Sequence, residues 1–332
     1  MITLNLSTSE EDLRKAAELL DRGEVVVFPT ETVYGIGARA DSIEAIEKIF
    51  IAKNRPQDNP LIVHISRLED LYLVVDNVNQ TEKKLIDAFW PGPLTIIFKK
   101  RDEIPNVVSA NLSTVGVRMP SNEVANKILS YASFAVAAPS ANISGEPSAT
   151  RSEHLKKLDG KVSAIVHSTE SEIGLESTVV KVDKGEIVIL RPGKISKEDI
   201  ERAVDLPVRL YKKEETNLSP GLRYKHYSPK TKVVLFRAED EDIIRSSILN
   251  RKCAFVLSKE LEDFHSDNIY YLTKNNDIDE AMHNYYDILY KIDNSNYDII
   301  YIREFEENSK SAALRDRMNR SAAGQLIDLE DL

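Results

Sequence analysis

Apolar residues recur along the chain in short segments of two periods, one suited to helices and one to strands. Residues 10–21 put Leu13, Ala16, Ala17, Leu19 and Leu20 on one side of a helix that Gly23 ends. Val25-Val26-Val27-Phe28, a β-branched run closed by Pro29, predicts a buried strand. Asp41 with Glu44 three residues on has the form of a capping box, opening a helix through Ile43, Ile46, Ile49 and Phe50. Pro56 stops that helix by about Arg55, because proline restricts the residue before it and lacks an N–H.

The alternation continues. Leu61–Ile65 reads as a strand, and Ser66 with Glu69, then Asn79 with Glu82, as two helix starts. Trp90-Pro91-Gly92-Pro93 breaks the second of these helices. Leu94–Phe98, Val115–Met119 and Phe134–Ala138 are further strands, and Thr150 with Glu153 caps another helix. Strands at Val162–His167, Thr178–Val182 and Ile187–Leu190 follow, and Ser196 starts a last helix. Mixed without strict alternation, these elements predict an α/β domain over residues 1–204, with a twisted, partly antiparallel sheet and flanking helices.

Residues 205–231 hold no period; Pro207, Pro220, Gly221 and Pro229 break it, so the segment reads as a linker. Tyr224, His226 and Tyr227 are costly choices for a mere spacer. Residues 232–332 form a second, smaller α/β domain. Its strands lie at Lys232–Phe236, Ala254–Leu257, Ile269–Leu272 and Tyr297–Ile302, and its helices at 240–250, 277–291 and 309–323.

A length of 332 residues suits two such domains. The net charge of −10 is evenly spread: residues 1–200 carry 24 Lys and Arg against 29 Asp and Glu, the remainder 20 against 25. Neither half has the basicity of a nucleic-acid module, so a phosphate site here must be a local gathering of cations. A single cysteine, Cys253, excludes an internal disulfide and a cysteine metal cage, and its apolar surroundings predict burial. The start lacks the basic and apolar stretches of a signal peptide, and no apolar run approaches ~20 residues. The expected compartment is the cytoplasm, with no membrane contact.

Four segments combine turn residues with hydroxyl, amide or cationic groups. Phe28–Ala38 carries threonines ahead of Gly35 and Gly37, which permit close backbone approach, although an ordinary turn reads the same way. Lys53 to His64 sets Lys53 and Arg55 at a helix end within a proline-framed loop; the helix dipole explains such cations, and so does anion binding. His64, alone in an apolar strand, is by habit a core residue. Ala137–Ser148 crowds small hydroxyls, an amide and a glycine behind an apolar strand. Glu176–Val180, then Leu190–Gly193, presents a hydroxyl pair and an arginine. Metal-ligand spacings, a Walker A loop and a G-x-S-x-G elbow are all missing. A covalent Ser or Cys nucleophile is not expected, and phosphoryl or adenylyl transfer needs none, since Lys, Arg and Mg²⁺ suffice for positioning and charge.

In order, PTETVYGIGA, KNRPQDNPL with VHI, FWPGPLT, VGVRMP, APSANISGEPSAT, ESTVV and LRPG resemble the YrdC-like threonylcarbamoyl-AMP synthases over roughly residues 10–200. SPGLRYKHYSP, at residues 219–229, resembles the tether of the family's long form, whose second domain is Rossmann-like. The resemblance implies an enzyme that joins L-threonine, bicarbonate or CO₂ and ATP, with Mg²⁺, into threonylcarbamoyl-AMP and pyrophosphate. A separate transferase complex then modifies tRNA with the product; a weak or transient tRNA contact fits this role. By motif, Thr32, His64, Arg118, Ala138 and Ser177 resemble the threonine-binding set. Lys53, Arg55, Asn59, Thr114, Ser140, Asn142, Ser148 and Arg191 resemble the ATP set, with Lys53 and Arg55 the catalytic cations. Tyr224 and His226 would fold back over the site to join the ATP set, and no residue is assigned to a metal. The alternative is an RNA-binding module of the same fold without catalysis, which the even negative charge opposes.

Overall fold

The computed structural model describes residues 2–211, 227–237, 252–259 and 266–328. They divide into two units; the first runs to residue 211, except that 145–148 and 173–175 group with the second.

In the first unit, β1 (Leu4–Leu6), α1 (Glu10–Asp21), β2 (Val26–Phe28), β3 (Gly35–Arg39) and α2 (Ile43–Lys53) come first. Next are β4 (Ile62–His64), α3 (Leu68–Leu71), α4 (Gln80–Phe89), β5 (Leu94–Lys99), α5 (Asn106–Ser109), β6 (Thr114–Arg118) and α6 (Glu123–Tyr131). Then come β7 (Val136–Ala137), β8 (Ala164–Val166), β9 (Thr178–Asp183), β10 (Glu186–Arg191), α7 (Lys197–Ala203) and β11 (Val208–Leu210). The strands join in one mixed sheet of eleven, ordered β1-β8-β2-β3-β7-β4-β6-β5-β9-β10-β11.

Strand alternation gives this sheet two unlike faces. Ile36, Ala38, Val63, Ile96, Phe98, Val115, Val117 and Val180 face the main core, packed with Ile46, Ile49 and Phe50 of α2 and Leu85 of α4. On the other face, α1 and α6 cover only the part near β2 and β7: Leu13, Ala16 and Leu20 meet Val26, Phe28, Val136 and Ala138, with Ala125 and Ile128. Ile97, Val179, Val188 and Leu190 form a separate small cluster. The helices of that second core therefore stop short of β4, β6, β5 and β9.

The pattern of α1 holds residue for residue, with the same five side chains buried. Asn79 and Glu82 make a complete capping box. Other starts differ. Ser42, not Asp41, caps α2 by accepting from the Ala45 N–H, because Asp41 is drawn off by Arg39 at 2.6 Å. Ile43, expected on the apolar side, is exposed. The short α3 is capped by neither Ser66 nor any other side chain. Thr150 likewise caps nothing; residues Ser152–Leu158 form a 3₁₀ helix, and the Thr150 N–H donates to His154 Nδ1. Strand β3 arises in the glycine-rich segment read as a loop. Strand β11 arises within the residues read as linker and pairs with β10, Val208 opposite Ile187.

The second unit contains β12 (Lys232–Arg237), β13 (Cys253–Leu257), β14 (Ile269–Tyr271), α8 (Ile278–Asp293), β15 (Ile299–Arg303), α9 (Ala312–Ser321) and β16 (Leu326–Asp328). Its five strands are all parallel, ordered β14-β13-β15-β12-β16, as a Rossmann-like layer requires. Cys253 is buried in this sheet. The expected helix at 240–250 lies outside the described residues.

Candidate active site

Strand register decides where the singled-out residues stand. β4 and β6 run parallel, with His64 opposite Arg118 and Ile62 opposite Gly116. β5 runs antiparallel to β6, with Ile97 opposite Gly116 and Lys99 opposite Thr114, a register that brings Thr95 level with Arg118. β9 sets Val179 opposite Thr95, and β10 sets Arg191 opposite Val179. His64, Arg118, Thr95 and Arg191 thus form a row across the sheet. Thr114 shares the face of Arg118 four residues back, about 13 Å along the strand. Near that level, Ser140 bridges to Gly35, and the Ala138 N–H donates to Ile62 O at 2.9 Å.

Arg118 anchors the first end. Its Nη1 donates to Thr32 Oγ1 at 2.8 Å and its Nε to Gly92 O at 3.3 Å. Nη2 forms an ion pair with Glu31 at 2.6 Å, and the two side chains are only 4% and 2% exposed. Thr30 Oγ1 donates to Val33 O at 2.6 Å and lies 2.9 Å from Thr32 Oγ1, so the Thr32 hydroxyl donates to Thr30 while accepting from Arg118. Burial pushes the Glu31 carboxyl up, but Arg118, together with the backbone N–H groups of Ser121 and Glu31, draws it down further, and the acid is held below its ordinary range. His64 is brought down to about 3 by burial and then by Arg118, so it is neutral. Its Nδ1 lies 3.2 Å from Ile62 O, which fixes the proton there and leaves Nε2 as an acceptor.

Ser177 and Arg191 form a second knot. Arg191 Nε and Nη2 donate to Ser177 O at 3.1 and 3.0 Å, and Nη2 also to Ser177 Oγ at 3.1 Å. The serine hydroxyl is then turned to Thr95 Oγ1, 2.8 Å away. Gly193 permits this crossing: a Cβ there would stand 2.3 Å from Thr178 N and 2.8 Å from Glu176 O.

Lys53, the last residue of α2, is buried, and its ammonium donates to Ser140 O and Asn142 O. Its own carbonyl accepts from Ser144 N at 2.8 Å, so Lys53 clamps residues 140–144 from behind. Asn54 leaves the helix at φ 56°, and Arg55 Nη2 donates back to Asn59 O and Pro60 O at 3.2 Å each. Ser140 Oγ donates to Asn142 Oδ1 at 2.6 Å. Ser148 is buried and belongs to the second unit. Tyr224 and His226 lie outside the described residues.

Residues 18–193 match the family described as telomere recombination, the Sua5–YciO–YrdC family, and residues 195–323 match the threonylcarbamoyl-AMP synthase C-terminal domain. The chain belongs to the threonylcarbamoyl-AMP synthase family. It is 33% identical to the threonylcarbamoyl-AMP synthase of Pyrococcus abyssi, over 98% of each chain. With that of Bacillus subtilis it shares 36% identity over 98% of this chain and 97% of the relative. The crystal structure of P. abyssi Sua5 complexed with L-threonine superposes with a TM-score of 0.88 at 33% identity, covering 99% of both chains.

Within this synthase fold, three polar residues of the arrangement escaped sequence reasoning. Glu31 stands inside a quoted motif, but an acid in a turn normally faces solvent. Thr30 was one hydroxyl among several. Thr95 lies within an apolar strand, where a threonine satisfies β-propensity without any further role.

Proposed function

We propose that this chain makes L-threonylcarbamoyl-AMP and pyrophosphate from L-threonine, bicarbonate or CO₂ and ATP, as an adenylyl-transferring enzyme. The observation that carries the reading is the shared sheet face, with an arginine–histidine row at one level, Thr114 about 13 Å further along the strand, and the Ser140 bridge to Gly35 near the level of Thr114. That distance suits an amino acid joined through a one-carbon bridge to a nucleotide.

At the first level, Arg118 receives the α-carboxylate through its Nη groups, a natural partner for a guanidinium. His64 Nε2 accepts an N–H of the amino group; held at about 3, it is too weak a base to take the ammonium proton, so it orients the amine. Thr32, Ala138 and Ser177 complete the threonine set. The ammonium proton goes to the hydroxide that bicarbonate releases with CO₂. The amine then forms an N–C bond to CO₂ as one C=O π pair moves onto oxygen and a second N–H proton leaves to solvent, and one carbamate oxygen bonds to the α-phosphorus of ATP as the bond to pyrophosphate breaks. Arg55, Asn59, Thr114, Ser140, Asn142, Ser148 and Arg191 take the nucleotide, with Tyr224 and His226 of the tether. Lys53 contributes its charge through the loop it clamps. The ATP set contains hydroxyl and amide oxygens but no carboxylate, a donor set that fits Mg²⁺ carried in on the phosphates rather than a resident ion. In that case Ser140 and Asn142 offer the neutral oxygens, and the ion supplies charge neutralisation.

The product goes to a separate transferase complex that modifies tRNA, with at most a transient tRNA contact here, in the cytoplasm. Among the described residues no helix is long and apolar enough to cross a membrane. The test is a mixture of protein, bicarbonate, Mg²⁺ and ATP: pyrophosphate should appear on adding L-threonine. Release that ignores threonine would sink the reading.

A further inference from the structure

We propose that Glu31 is a positioning residue for the amino acid: its buried carboxylate fixes the Arg118 guanidinium and sets the local charge so that the site admits a zwitterion. The inference rests on the threonine reading above. Glu31 lies in the turn before β3 and Arg118 at the end of β6, so the fold brings the pair together from distant parts of the chain. The remaining partners of Arg118, Gly92 O and Thr32 Oγ1, are neutral. Without Glu31 the guanidinium would be an uncompensated cation in the interior, free to rotate about its two weaker anchors.

The charge balance carries the specificity. Arg118 with Glu31 sums to zero, and the neighbouring His64 is neutral, so the immediate surroundings of the guanidinium carry no net charge; the row's other cation, Arg191, is turned to Ser177 on the far side of Thr95. A neutral environment with a fixed guanidinium edge and a nitrogen acceptor fits an α-amino acid, which is itself neutral overall. A site carrying an unpaired arginine would instead favour any plain carboxylate. Thr32 belongs to the same device, because its hydroxyl is held between Arg118 and Thr30 and keeps the guanidinium plane from turning.

The test compares two ligands on the full-length chain by titration calorimetry without nucleotide: L-threonine, and 3-hydroxybutyrate, which is threonine without its amine. In Glu31→Gln the threonine-to-hydroxybutyrate affinity ratio should fall about tenfold or more, the usual worth of a charged contact. Glu31→Asp, which keeps the charge, should stay near the wild-type ratio. General loosening of the fold lowers both affinities together and leaves the ratio alone, so an unchanged ratio overturns the proposal. If Glu31→Gln does not fold, Glu31→Asp decides: threonine affinity should drop severalfold with ATP affinity unmoved, and an equal drop in both overturns the proposal. Wild-type protein that binds no threonine would sink the threonine reading itself, and this inference with it.

Discussion

A histidine kept neutral beside a paired arginine gives the proposed amino-acid end its character. His64 lies at about 3 against an ordinary 6.5, with burial the larger cause and Arg118 the next. The folded value is the lower one, so the unfolded chain binds the extra proton, and stability falls as pH drops from about 6.5 toward 3. The slope from this residue should reach about 1.4 kcal/mol per pH unit in that window. Thermal denaturation at about pH 7 and pH 5 measures it, and His64→Gln should show the shallower dependence. Arg118→Ala should raise the KM for threonine more than that for ATP, since it removes a carboxylate partner. It also strands Glu31 without a counter-charge, at about 3–5 kcal/mol, so the melting temperature should fall as well. Equal loss of both substrates would remove the assigned role. Arg118 was legible because its motif is distinctive and its neighbours are apolar. Its acid partner was not, because only the tertiary fold turns Glu31 inward.

At the scale of elements, two glycines do structural work that a sequence motif does not explain. A Cβ on Gly37 would meet Phe28 Cε1 at 2.6 Å and Val136 Cγ1 at 2.7 Å. Gly37→Ala should therefore cost about 1–3 kcal/mol in urea unfolding, by overpacking the seam between β2, β3 and β7. Gly193 abuts backbone rather than side chains, so no rotamer change relieves an added methyl. Gly193→Ala should pull Arg191 off Ser177 and raise the KM for ATP several-fold, and an unaltered KM would contradict the placement. Asn79 with Glu82 was legible as a cap and Ser196 as a helix start, whereas Asp41, Ser66 and Thr150 carry the same kind of local signature and do not cap. Strand β3 was not, because glycines carry no β-propensity and its pairing with β7 is a long-range event.

At the scale of the molecule, mixed α/β architecture followed from the pattern of runs, but the strand order did not. Placing β7 between β3 and β4 joins residues far apart in sequence, and no local signal specifies it. That order nevertheless creates the site, because it lines up His64, Arg118, Thr95 and Arg191 from strands that are scattered along the chain. The sheet also runs into the expected linker, with Ile187 N donating to Pro207 O at 2.8 Å and Tyr211 N to Ile189 O at 2.9 Å. A chain ended at residue 204 should accordingly melt below one ended at 211, by differential scanning calorimetry. Deleting residues 219–332 should impair turnover, because the proposed nucleotide set includes Tyr224 and His226 of the tether; undiminished turnover in the folded remainder would contradict that. The central claim is that one face of one sheet unites amino acid, carbon unit and nucleotide in a single molecule. Its most direct test is a quenched reaction with ¹³C-bicarbonate, L-threonine and MgATP, resolved by mass spectrometry. The label is predicted in an adenylate that also contains threonine; AMP or ADP forming with the label left in bicarbonate would contradict the claim.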